Sequence, residues 1–216
     1  MKEKTGAVFS IAKDNQPVAG CTISKEVYAS GQDYISYFSL AKGTDISAEI
    51  YDYHKLLILH EGSMDVYTDK QVWTLSEGEV ILTPTEIPVG MRTGTKAIYT
   101  EISVRRNTMN NAVKAGEVFK LAELVPYQDG KIINMDVAHN EKMKFVIMSF
   151  DEGTGLSEHA APGEALIFAI DGKGVIGYEG KAHPIKAGES FKFAAGGKHW
   201  VKADGRFKMA LLITLE

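Results

Sequence analysis

Apolar residues in this chain come in short runs closed by polar or glycine-containing turns. ALIFAI (165–170) and MALLITL (209–215) are the longest; they have strand length and are far too short to span a bilayer. Turn chemistry separates the runs: DGK at 171–173, YEGK at 178–181 and ADGR at 203–206. No long segment carries a 3.6-residue apolar period. VFKLAELV (118–125) reads equally as a short helical piece or a docking strand. Many short Val/Ile/Phe/Tyr-rich strands at regular spacing predict an all-β protein, a sandwich or small barrel closed on itself.

The pattern also repeats, at an offset of 110 positions. AVFSIA (7–12) matches EVFKLA (117–122), Gly20 falls on Gly130, Ser47 on Ser157, Leu56 on Leu166, Gly62 on Gly172, and Gly78-Glu79 on Gly188-Glu189. A long series in one register, concentrated on glycines and strand positions, is what a duplicated domain leaves behind. The expected domains are 1–108 and 109–216, joined through the polar stretch RRNTMNNAVKAG (105–116). Such a chain is an intramolecular pseudo-dimer; the sequence leaves open whether it also forms a homodimer.

Composition narrows the partners. The 216 residues are 44% hydrophobic, enough for a full core, and the net charge is −4 with Lys and Arg scattered among Asp and Glu. A nucleic-acid partner would need a concentrated basic face, so none is expected. The start, MKEKTGAVFSIAKDN, lacks an apolar stretch of secretory length; together with the absence of a membrane-length run this predicts a cytoplasmic protein. Cys21 is the single cysteine, which excludes an internal disulfide and a thiolate cage, and it is expected in the core.

Candidate chemistry concentrates in SEHAAPGEALIFAIDG (157–172) and GESFKFAAGGKHWVKA (188–203). Their spacing resembles the two motifs of the cupin superfamily, G-x5-H-x-H-x3 or x4-E-x6-G and G-x5-P-x-G-x2-H-x3-N. His159, Glu164, Gly172, Gly188, Gly196 and His199 hold or nearly hold the motif positions. The second copy as a whole looks like the small single-domain cupins. The resemblance implies two double-stranded β-helix (cupin/jelly-roll-like) barrels in tandem. There are departures: Ser157 stands in the first His slot, Ala194 replaces Pro and Ala203 replaces Asn. In the first copy the ligand slots read Ser47, Glu49, His54 and Val89, a degenerate site.

Side chains two apart on a strand share a face, so residues 157 and 159 are both expected to look into the barrel. With Glu164 on the neighbouring strand and His199 on a later one, the resemblance implies a site for Fe, Mn, Ni or Zn held by His159, Glu164 and His199. Alternatively these groups hydrogen-bond in a polar pocket without metal. Ser157, Ala161, Phe191, Phe193 and Trp200 are expected to line the pocket. In the first copy Glu49 and His54 are expected to pair, with Tyr37, Tyr51 and Tyr53 part-filling the cavity. His60, His139 and His183 are expected to carry no function. Two functions remain open. One is a divalent-metal-dependent oxidoreductase (dioxygenase-like) or isomerase acting on a small molecule. The other is a metal-free module that binds or senses a small ligand without turnover.

Overall fold

Strands fold back on one another with few helical interruptions in the computed structural model, which describes residues 1–105 and 108–215. Arg106 and Asn107, in the expected linker, lie outside the described residues, as does Glu216. The chain forms two compact units. One comprises Met1–Lys2, Ile11–Asn107 and Asn111–Lys120; the other comprises Glu3–Ser10, Thr108–Asn110 and Leu121–Glu216. Neither unit is a single continuous stretch.

In the first unit, strand His54–Tyr67 pairs with Ala97–Val104 along its first part, and with Val72–Ser76 and Pro88–Arg92 along its second. Gly62 marks the bend, at φ 90°; a Cβ there would lie 1.9 Å from the Lys96 carbonyl oxygen. The second unit repeats the arrangement: Glu164–Tyr178 pairs with Lys198–Thr214 throughout, with register shifts on both sides of Gly172. The expected DGK turn is therefore a kink in a continuous strand. ADGR is likewise a bend within Lys198–Thr214, with Gly205 at φ 77°. YEGK is a true hairpin, in which Glu179 (φ 48°) and Gly180 (φ 76°) supply the paired left-handed residues that match strand twist. Strands Asp33–Leu40, Asp45–Ile50 and His54–Tyr67 recur as Met143–Phe150, Gly155–Ala160 and Glu164–Tyr178 at the offset read from the sequence.

Alternating side chains build each core. In the second unit Ile167, Ile176, Phe191, Phe193, Val201 and Phe207 meet between the strands. In the first, Leu57, Leu59, Met64, Val66, Leu75 and Ile81 do so. Each such burial contributes on the order of 1.5–3 kcal/mol. Residues 165–169 are buried on both faces, which is why ALIFA shows no alternation; every residue of Ala97–Val104 is buried too.

Several expectations change. VFKLAELV is both alternatives in succession, strand Val118–Lys120 and then a 3-10 turn Leu121–Glu123. Cys21 is exposed rather than in the core, because it sits in the turn after Gly20, where its amide donates to the Val18 carbonyl. No helix among the described residues is long and apolar enough to cross a membrane.

Candidate functional site

Strands Gly155–Ala160 and Lys198–Thr214 set the geometry around the candidate histidines. Leu156 stands opposite Val201 and His159 opposite His199, so three steps on one strand span two on the other. This is a β-bulge. Val201 belongs to the core and His199 is only 6% exposed, so their cross-strand partners Leu156 and His159 face the same inner side. Ser157 and Glu158 lie in the bulge and turn outward. Ser157 therefore does not share the inner face with His159, as regular alternation would require.

The two imidazoles stand side by side, with ring centroids 4.1 Å apart and planes at 53°. His159 Nδ1 is 2.8 Å from the Ser157 carbonyl oxygen and His199 Nδ1 is 3.0 Å from that of Gly197. A carbonyl oxygen only accepts, so each Nδ1 carries a proton, and the neutral form of each ring presents the Nε2 lone pair. His199 stacks on Phe193 at 4.0 Å and 27°. Burial holds the His199 pKa below the usual imidazole range. The Gly197 carbonyl works against this, and charge on His159 lowers the pKa further.

Glu164 does not join them. On its strand Ala165, Ile167 and Ala169 enter the core, which places Glu164 with Leu166 and Phe168 on the opposite face. Lys192, across from Leu166, reaches its Nζ to within 2.6 Å of Glu164 Oε1. Burial pushes the Glu164 pKa up, and positive charge, with Lys192 the largest contributor, more than offsets it, leaving the carboxyl below its ordinary value. The expected pocket residues also divide. Ala161, Phe191 and Phe193 are core residues. Ser157 and Trp200 line an open outer recess of about 410 Å³ with Glu158 and Lys202. The Trp200 indole lies against Gly177, where a Cβ would be 1.9 Å from the ring.

Comparison with known proteins fits this architecture. The family model for the cupin domain matches residues 146–215. The cupin 2 conserved barrel domain protein from Leptotrichia buccalis is similar at 26% identity, covering 99% of this chain and 98% of that one, with a TM-score of 0.84. Residues 146–215 carry a cupin domain, and the chain as a whole has the cupin fold. Two further structures share the fold alone. Protein YlbA from E. coli has 12% identity, covers 96% of this cupin and 89% of its own chain, and gives a TM-score of 0.61. A salicylate 1,2-dioxygenase mutant from Pseudoaminobacter salicylatoxidans, in complex with gentisate, has 11% identity, covers 84% and 68%, and gives 0.61. No curated protein sequence matches this cupin.

A resident Fe, Mn, Ni or Zn ion would need a third donor beside the two imidazoles. Among the described residues no group of three or more His, Cys, Asp or Glu is placed to hold a metal. With Glu164 turned to Lys192, the residues of this cupin do not fit the three-ligand metal site that the motif spacing implies.

The first unit repeats the bulge and changes the contents. Ile46 pairs with Met91 and Glu49 with Val89, so Glu49 occupies the place of His159. Ser47, like Ser157, falls in the bulge. His54 has the parity of Leu56 and Ile58, away from the core, with Nδ1 2.6 Å from the Thr83 carbonyl oxygen. Glu49 accepts from the Tyr51 hydroxyl instead, so the expected Glu49–His54 pair is absent. Tyr37 lies on the sheet face opposite Phe38 and does not help fill this interior.

Sequence reasoning missed what lies deeper. Lys55 and Glu101 share the inward parity of Leu57 and Tyr99, are 8% and 2% exposed, and form an ion pair with Lys55 Nζ 3.2 Å from Glu101 Oε1. Tyr34 donates to the same oxygen at 2.6 Å, and its hydroxyl is 3.3 Å from that of Tyr53. Burial first, then the Glu101 carboxylate, keep the Tyr34 and Tyr99 phenols protonated. Lys55 Nζ also lies 3.6 Å from the centre of the Tyr51 ring, a cation–π contact near the rim. Two interior atoms, Glu101 Oε2 and the Tyr99 hydroxyl, have no hydrogen-bond partner among the described residues. A buried polar atom left so costs about 1–3 kcal/mol, more when charged. The available signal was a charged residue inside each apolar run, KLLIL (55–59) and AIYTEISV (97–104). The expected quiet histidines are placed as follows. His60 Nε2 is 2.7 Å from Thr100 Oγ1, His139 ends its strand, and the His183 ring centre is 5.1 Å from that of Phe191.

Proposed function

We propose that this cupin is a small-molecule-binding protein built from two duplicated barrels, and that the C-terminal barrel recognises its ligand through His159 and His199. The observation that carries this reading is the shared orientation of the rings. Both Nδ1 protons face backbone carbonyls, so two neutral Nε2 acceptors remain next to each other. Adjacent acceptors suit a ligand with adjacent O–H donors, such as a vicinal diol or catechol, and Phe193 under His199 supplies an apolar backing. Exposure of His159 gives the ligand access. A fold neighbour in complex with gentisate supports the general reading that this architecture takes small molecules. Binding or sensing is favoured over a metal-dependent oxidoreductase or isomerase because the third ligand of the expected set is engaged by Lys192. The free, exposed thiol of Cys21 is in keeping with a reducing, cytoplasmic setting.

Calorimetric titration of catechol into the purified protein tests this reading. Binding that falls at least tenfold in both His159→Ala and His199→Ala supports it. Catechol affinity unchanged in both variants overturns it. So does near-stoichiometric Fe, Mn, Ni or Zn in the wild-type protein that disappears in both His199→Ala and Glu164→Gln.

A further inference from the structure

The two interiors differ in a way the repeat makes visible. At the positions equivalent to Lys55, Tyr99 and Glu101 the second copy has Ala165, Met209 and Leu211, which line a hydrocarbon core. The first copy spends the same inward positions on an ammonium, a phenol and a carboxylate. Lys55 and Tyr34 both engage Glu101 Oε1, which leaves Oε2 as an acceptor, and the Tyr99 hydroxyl as a donor, with no partner among the described residues. Both residues point into the barrel from the same strand, two positions apart. Their surroundings are aromatic: Phe38 stacks on Tyr99 at 5.0 Å and 6°, and Tyr51 and Tyr53 meet edge to face at 5.2 Å. The Lys55–Glu101 pair is internally neutralised, so this interior favours an uncharged guest.

We propose that the interior of the N-terminal unit is a second ligand site, which takes a small neutral phenol whose O–H donates to Glu101 Oε2 and whose oxygen accepts from the Tyr99 hydroxyl. One hydroxyl then completes both orphaned groups, and its ring adds to the aromatic walls. Tyr51, whose ring lies beside that of Tyr53, is partly exposed and held to Glu49 by its hydroxyl. This site shares no residue with the His159–His199 pair, so either proposal can fail alone.

Phenol is the probe, and toluene, of the same shape without the hydroxyl, is the control. Binding is followed by calorimetry and by ¹H–¹³C NMR of the tyrosine rings in the His159→Ala protein, which removes the C-terminal site. The expected result is phenol binding in that background, with toluene at least tenfold weaker. Tyr99→Phe removes one hydroxyl from a buried site where it has no partner, so it should fold and melt no lower than its parent while binding phenol about tenfold more weakly. Equal affinity for phenol and toluene overturns the proposal, as does phenol affinity unchanged by Tyr99→Phe. Absence of phenol binding at millimolar concentration overturns it as well, as does a crystal structure grown with phenol in which water alone contacts Glu101 Oε2 and the Tyr99 hydroxyl.

Discussion

Replacing Glu101 with Leu removes the carboxylate that neutralises Lys55 at a position where only 8% of the lysine is exposed. Breaking a buried pair by deleting one partner costs about 3–5 kcal/mol, because the surviving charge is left without compensation. Removing both charges is a different perturbation, since a hydrocarbon pair of similar volume is often neutral or stabilising by about 1–4 kcal/mol. Met approximates the lysine stem, and the second copy already places Leu211 at the position equivalent to Glu101. Glu101→Leu should therefore lose about 3–5 kcal/mol, and Lys55→Met/Glu101→Leu should regain most of it. Tyr34 keeps the Tyr53 hydroxyl within 3.3 Å in the double variant, which limits the residual loss. Urea unfolding of the wild type, both single variants and the double variant, followed by fluorescence and circular dichroism, gives the coupling energy directly. A double variant no more stable than Glu101→Leu refutes the reasoning, since the two charges would then not depend on each other.

Gly177→Ala puts a methyl group where the Trp200 ring lies, so the indole must move; a loss of about 1–3 kcal/mol and a shift in tryptophan emission are expected. Burial lowers the His60 pKa from 6.5 to about 4, so the folded state binds fewer protons than the unfolded chain between those values. Stability present above pH 6.5 should fall through that window by about 3 kcal/mol. The urea midpoint of His60→Gln, measured against pH, should lack this component. In His159→Ala the His199 pKa should rise, because the neighbouring positive charge is gone, whereas Glu164→Gln should leave the His199 titration unchanged. NMR of the imidazole C2 protons reads both, and a His199 shift in Glu164→Gln would return the carboxylate to the histidine site.

The strands and the places where they recur were legible because burial and turn chemistry act locally, and the cupin motifs fixed which residues to compare. Facing was less legible. Alternation puts 157 and 159 on one side, yet the bulge inserts an extra residue and breaks the count. The same counting failed for Glu164, whose core-facing neighbour is Ala165. Gly172 and Gly205 have the composition of turns but bend strands that continue, a distinction set by long-range pairing. Lys55 and Glu101 were hidden for a similar reason, since a charge within an apolar run declares its depth only once the cross-strand partner is known.

The segments Val8–Phe9 and Val118–Lys120 occupy equivalent places in the repeat, yet each completes the sheet of the unit built mostly from the other copy. Val8–Phe9 pairs with Ser190–Phe193, and Val118–Lys120 with Glu79–Leu82. A gene divided at the midpoint would thus yield two products, each with a bare sheet margin open to self-association and each carrying a strand of no use to itself. A self-sufficient C-terminal module has to be spliced, with residues 3–10 and 108–110 grafted ahead of 121–216. Each half of the chain therefore lends the other a strand, so neither unit's sheet is complete without a segment from the other half.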